Sequence, residues 1–232
     1  MISKETVINK YNFRDLGGLR TASSVTHSSF YVRSKSLTSL DDEFKLLLLE
    51  HNVKGVIDLR TLKEVSSNPD DTSYLKSQGI EYFSFPIKDM IHTERVDELN
   101  GSLFTDYKDI LLHQREAIQD IFKLLASFSA GALLFHCNSG KDRTGVIAML
   151  LLSLVGVKDE EIINDYTITD KNMATLFKLH PETFKVPFSS FVAHAKACDA
   201  KKTLDLIKEL GGSAEYLANS NVCNQIKKKF IS

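Results

Sequence analysis

Ala132-Leu133-Leu134-Phe135-His136-Cys137-Asn138-Ser139-Gly140-Lys141-Asp142-Arg143-Thr144-Gly145 is the stretch on which the reading of this chain turns. Four apolar residues in a row suit a central strand buried on both faces. Thr144 to Leu154 is strongly apolar and predicts a helix, so the polar residues between form a strand-to-helix loop. In open α/β sheets that is where ligands bind. Five residues separate Cys137 from Arg143. The amides of Asn138, Ser139, Gly140, Lys141, Asp142 and Arg143 can therefore curl around one tetrahedral anion while the helix directs its positive end at it. A phosphate is the natural occupant.

The same field acts on the cysteine. A thiol at a helix N-terminus beside Arg143 and Lys141 is expected to be a thiolate, hence a nucleophile. Arg143 offers a planar fork to two phosphoryl oxygens and stays charged throughout. Thr144 places a hydroxyl beside the sulfur, where it can stabilise the departing thiolate. Gly140 and Gly145 allow close backbone approach. His136 is expected to support the loop through buried hydrogen bonds. A lone buried cysteine is more often a small hydrophobe; Cys198 and Cys223 lack the loop's setting and are expected to be structural.

Outward from the loop, strand and helix alternate. Strands are expected over Ser29–Arg33, Val53–Arg60 and Ile80–Pro86, with a helix after Thr38-Ser39 through Leu49 and another carrying Leu111, Ile118, Ile121, Phe122 and Leu125. Lys88 to Thr105 is polar and aperiodic and reads as a long loop flanking the site. From Asp159 onward the pattern is helical, including a helix stopped by Gly211-Gly212 and a last one ending Lys227-Lys228-Lys229. Phe177, Phe184, Phe188 and Phe191, interrupted by Pro181 and Pro187, suit a lid over about residues 170–200 or, equally, core. The whole predicts one α/β domain over residues 1–232 with a mostly parallel sheet.

The composition fits this. Of 232 residues 43% are hydrophobic and 25% charged, and 29 basic against 30 acidic residues leave a formal charge of −1. No nucleic-acid partner is expected from that balance. Three widely spaced cysteines form neither a disulfide framework nor a zinc pattern. No stretch approaches the ~18 apolar residues of a membrane span, and the N-terminus lacks an apolar leader core. A cytoplasmic protein is expected, although secretion without a cleavable signal leaves no trace in sequence.

The string His-Cys-x-x-Gly-Lys-Asp-Arg-Thr-Gly resembles the loop of the atypical, mostly microbial, protein-tyrosine phosphatases. Asn12-Phe13-Arg14-Asp15-Leu16-Gly17-Gly18, Arg33-Ser34, Ile57-Asp58-Leu59-Arg60-Thr61 with Glu64, and Gly212-Ser213-Ala214-Glu215-Tyr216-Leu217 are similar to further motifs of that family. The resemblance implies a protein-tyrosine-phosphatase fold, a phosphocysteine intermediate, no metal or other cofactor, and substrates that include phosphotyrosine in proteins, with phosphoserine or phosphothreonine as a broadening and phosphoinositides as the alternative. It also implies that Arg14 and Asp15 brace the phosphate loop. Lys141 as a second cation would favour substrates bearing several phosphates. A dead phosphate-binding module and a sulfur transferase are the competing classes, and the intact Cys137 and Arg143 and the Arg143-Thr144-Gly145 continuation speak against them. With no Trp in the chain, the usual Trp-Pro-Asp acid loop is missing. The proton for the leaving oxygen, worth ~10²–10⁴ in rate, has three candidate donors: Asp142 and Asp58, ranked first, and Asp89. For Asp58 a salt bridge to Arg60 or Arg14 is the competing role.

Overall fold

The computed structural model describes residues 3–89, 98–179 and 190–231. Five strands form one sheet: β1 (Arg14–Asp15), β2 (Tyr31–Ser34), β3 (Val53–Asp58), β4 (Glu81–Ser84) and β5 (Ala132–His136), in the order β1-β2-β5-β3-β4. Only the β1–β2 pair is antiparallel. The expected α/β architecture with a mostly parallel sheet is what the chain adopts. β5 is buried along its whole length, as an apolar strand flanked by two parallel neighbours must be.

Side chains alternate across the sheet with period two. Ala132 and Leu134 enter one core with Val32, Val53 and Val56, covered by α1 (Lys4–Tyr11), α2 (Asp42–Glu50), which packs Phe44 and Leu48, and α4 (Thr72–Ser77), which packs Leu75. Leu133, Phe135 and Cys137 enter the other with Ile57, covered by α5 (Leu103–His113), α6 (Arg115–Ser127), α7 (Asp142–Leu154) and the C-terminal helices. The latter are α8 (Asp159–Leu179), α9 (Ala197–Glu209), α10 (Gly212–Leu217) and α11 (Ser220–Phe230). Every residue of α7 except Ser153 is buried, which its apolar composition requires.

Several boundaries differ from expectation. The strand expected over Ser29–Arg33 is shifted to Tyr31–Ser34, and α2 is capped by Asp41 rather than by Thr38 or Ser39. The Leu111–Leu125 helix is broken at Gln114, whose amide turns outward to hold Lys88: its Oε1 accepts from Lys88 N at 2.7 Å and its Nε2 donates to Lys88 O at 2.6 Å. α5 begins at Leu103, inside the loop expected over Lys88–Thr105. His92, Arg95 and Asp97 of that loop lie outside the described residues. So do residues 180–189 of the expected lid, together with the side chain of Phe177, whereas Phe191 packs against the larger core from a 3-10 turn at Phe191–Ala193.

Candidate active site

β5 delivers His136 and Cys137 to the C-terminal edge of the sheet, and the chain returns as α7 from Asp142. The loop between is shaped from outside. Ser36 N donates to Asn138 O at 3.0 Å, Asn12 Nδ2 to Ser139 O at 3.0 Å, and Arg33 Nη2 to Gly140 O at 2.8 Å. Peptide groups are planar, so a carbonyl held outward turns the next N–H inward. The amides of Ser139, Gly140 and Lys141 therefore face the loop's interior. Gly140 has φ of 68°, and a Cβ there would lie 2.2 Å from Ser34 O, so only glycine fits. No side chain caps α7, which leaves its first amides and its positive end directed at the same space.

Cys137 is 2% exposed and Arg143 1%. Arg143 is held by two acids: Glu64 Oε2 and Oε1 accept from Nη1 and Nη2 at 2.7 and 2.8 Å, and Asp89 Oδ2 lies 2.9 Å from Nε. Burial opposes its charge, but Glu64, Asp89 and the Cys137 sulfur more than offset that and push the guanidinium above its ordinary value. Glu64 is fixed in turn by the capping box of α3 (Leu62–Ser67) with Thr61 and by Asn138 Nδ2 at 2.5 Å. Against its burial, hydrogen bonds from Arg143 and Thr61 hold its carboxyl at about 2. The sequence had placed Glu64 only as a motif match; the Thr61-x-x-Glu64 spacing announces a helix start, not a partner for Arg143.

Asp142 lies in the first turn of α7 and accepts from Tyr107 Oη at 2.7 Å; Tyr107 and Tyr166 share a 2.6 Å hydrogen bond. Burial and the Asp142 charge push both phenols well above their ordinary range. Lys141 Nζ donates to the carbonyls of Val192 and, at 3.5 Å, His194, and lies 3.5 Å from Asp142 Oδ1. Its ammonium is thus committed to residues 192–194, unlike the second phosphate-facing cation expected from the sequence. Thr144 Oγ1 is buried with no hydrogen-bond partner among the described residues, Cys137 Sγ included.

Asp58 is in a different place from that expected of a proton donor. It is fully buried behind the loop, where Arg60 grips it through Nε at 3.0 Å and Nη2 at 2.7 Å and Tyr82 Oη donates at 2.5 Å. The salt bridge weighed against catalysis is the one that forms. Asp70 joins this group, 2.9 Å from Arg60 Nη2 and 3.1 Å from His136 Nε2. His136 Nδ1 faces Cys137 O at 3.1 Å while Nε2 lies beside Asp70, a setting that favours the charged imidazole and ties the ring to the nucleophile's own backbone. Burial works against that charge, but Asp70 and Asp58 prevail and raise the His136 value. Asp58, Asp70 and His136 have donor atoms close enough to share a metal ion. Arg60 already occupies the space between the carboxylates and supplies the balancing charge.

Beneath the loop, Arg14 and Arg33 share Asp165: Arg14 Nε at 2.6 Å from Oδ1 and Arg33 Nη1 at 2.6 Å from Oδ2. Asn12 links Arg14 to the loop, its Oδ1 accepting from Arg14 Nη1 at 2.8 Å. Asp15 does not brace the loop but closes the β1–β2 connection, accepting from Gly17 N and Ser29 N. Asp165, on α8, carried no signal in the sequence.

The chain is similar to known proteins over most of its length. The tyrosine phosphatase family model aligns with residues 6–230. A tyrosine-protein phosphatase of Nostoc commune is 36% identical over 145 residues, 60% of this chain and 48% of that protein, so the chain spans about half the length of this relative. The triple specificity protein phosphatase PtpB of Mycobacterium tuberculosis is 25% identical, covering 90% of this chain and 84% of its own. Among solved structures, the core catalytic domain of the PP-IP phosphatase SIW14 from S. cerevisiae superposes with a TM-score of 0.44 at 14% identity, covering 87% of this chain and 93% of that one. Among the described residues no helix is long and apolar enough to cross a membrane. With a family match running almost from end to end, this chain belongs to the tyrosine phosphatase family.

Proposed function

We propose that this chain, acting as one domain, hydrolyses phosphotyrosine in proteins through a phosphocysteine on Cys137. The observation that carries the reading is the loop whose carbonyls are pinned outward by Ser36, Asn12 and Arg33, leaving inward amides and the Arg143 guanidinium around one sulfur. Such preorganised donors stabilise the charge that spreads over the equatorial phosphoryl oxygens. The thiolate of Cys137 attacks phosphorus as the ester P–O bond breaks and the leaving oxygen takes a proton from an aspartic acid, which is left as the carboxylate. Water then attacks the phosphocysteine, gives its proton back to the same carboxylate, and the thiolate departs.

For the proton we favour Asp89. Asp58 is consumed by Arg60 and Tyr82, and Asp142 is tied to Tyr107. Asp89 stands against Arg143 itself, on a segment anchored at Lys88 by Gln114. A phosphate dianion arriving at Arg143 crowds negative charge beside that carboxyl and favours its protonated form, which is what a donor requires. The triple specificity in the name of the Mycobacterium tuberculosis relative supports relaxed choice, and phosphoserine, phosphothreonine and phosphoinositides are the broader set to test. Lys141, turned to the carbonyls of residues 192 and 194, does not supply the second cation a polyphosphorylated inositide would use.

The test is turnover on p-nitrophenyl phosphate, a phosphotyrosine peptide, a phosphoserine peptide and a phosphoinositide. Cys137→Ser is expected to abolish all of it while retaining phosphate or vanadate binding; labelled phosphate never trapped on wild-type Cys137 under rapid quench overturns the reading. Asp89→Asn is expected to remove the basic limb of the pH–rate profile. Loss of that limb in Asp142→Asn or Asp58→Asn instead reassigns the donor.

A further inference from the structure

The mechanism above gives the guanidinium that lies under the loop only the task of holding Gly140 O. Arg33 is fully buried. Its Nη1 is paired with Asp165, its Nη2 holds Gly140 O, and Nε has no hydrogen-bond partner among the described residues. Parallel pairing of β2 with β5 sets Arg33 opposite Phe135, two residues before the nucleophile, and Nη2 lies 3.8 Å from the position a Cβ would take at Gly145. The group is therefore wedged between the back of the loop and the first turn of α7, with Cys137 in the loop it supports.

Charge bookkeeping around Cys137 singles this group out. Behind the sulfur, His136 and Arg60 balance Asp58 and Asp70. To the side, Lys141 balances Asp142. On the outer face, Arg143 meets both Glu64 and Asp89. Among the described ion pairs around the loop, cations outnumber acids beneath it, with Arg14 and Arg33 sharing Asp165. A buried excess positive charge is costly unless something negative answers it.

We propose that Arg33 is a positioning residue whose buried charge, in excess over Asp165, keeps Cys137 ionised from below while Arg143 holds the phosphate from above. The coupling is reciprocal, as linkage requires. Burial and the neighbouring Arg14 bring Arg33 down to about 10, and Asp165 and the Cys137 sulfur are what hold its charge up. Whatever the thiolate contributes to the guanidinium, the guanidinium returns to the thiolate.

This inference rests on the reading of Cys137 as the nucleophile, and the experiment separates the two. Alkylation of the Cys137 peptide by iodoacetamide is followed by mass spectrometry against pH in the full chain, which keeps Cys198 and Cys223 out of the signal. Arg33→Gln is expected to move the midpoint up by about one pH unit, a tenfold loss of thiolate on the acid side, with Arg33→Lys staying near wild type. Asp165→Asn is expected to move it down, because it removes the acid that Arg14 and Arg33 share beneath the loop. Opposite signs cannot come from simple loosening, which shifts both variants alike. If Arg33→Gln does not fold, Arg33→Met, which keeps the volume without the charge, takes its place beside Asp165→Asn. A midpoint unmoved in either variant, or moved the same way in both, overturns the role of Arg33; a wild-type thiol that titrates like free cysteine overturns the nucleophile itself.

Discussion

Replacing Glu64 by glutamine tests how Arg143 is held, and the structure sets the size of the effect. The carboxyl goes from an ordinary 4.5 to about 2 in the folded chain. At about 1.4 kcal/mol per unit that corresponds to roughly 3 kcal/mol. The side chain keeps 14% of its surface exposed, so screening reduces this to about 2 kcal/mol. Because the folded value is depressed, the contribution is fully present above pH 4.5 and is lost as pH falls toward 2. Urea unfolding of wild type and Glu64→Gln between pH 6 and pH 2.5 should show a gap of about 2 kcal/mol at the upper end that closes toward the lower. Catalysis should suffer as well. Two charge-assisted hydrogen bonds of about 1.5–3 kcal/mol each orient the fork, and an amide replaces only one as an acceptor, so kcat/KM should fall roughly 10–100-fold. A stability gap independent of pH, together with kcat/KM within threefold of wild type, refutes the reasoning.

Gly140→Ala places a methyl 2.2 Å from Ser34 O at a positive φ and should cost several kcal/mol of stability, read as a lowered Tm and denaturant midpoint, with phosphate binding lost even where the chain still folds. His136 has its value raised by Asp70, so the stability it contributes is complete below pH 6.5 and declines as pH rises through the raised value; Asp70→Asn should abolish that alkaline decline and lower stability at pH 6 by about 3–5 kcal/mol, measured by unfolding across pH 6–9. Since Arg60 fills the Asp58–Asp70–His136 group, EDTA should leave both turnover and Tm unchanged. A chelator-sensitive Tm would place an ion there.

What could be read from the sequence was local. β5, the loop and α7 announce themselves because a continuous apolar run, a polar turn with Gly140 and an apolar helix are adjacent in the chain. The partners of that loop are not. Glu64 reaches Arg143 from 79 residues away and Asp165 reaches Arg33 from 132, contacts set by sheet register and helix packing rather than by spacing. The ranking of the aspartates depended on the same unseen contacts: Asp58 sits at a strand end as expected, but Arg60, two residues on, folds back onto it. β1 is two residues long, too short to show a period, and the break between α5 and α6 falls at glutamine, a residue with no breaking tendency of its own.

The outward pinning of the 138–140 carbonyls has a consequence for selectivity. Three neighbours from two separate parts of the chain fix the receptor before any guest arrives, so little entropy is spent in shaping it around an oxyanion. A rigid tetrahedral mould of this kind admits arsenate, vanadate and sulfate on the same terms as phosphate, and planar anions such as nitrate poorly. Choice among esters then falls to whatever lies outside the mould, and free phosphate released by one turnover competes directly with the next substrate.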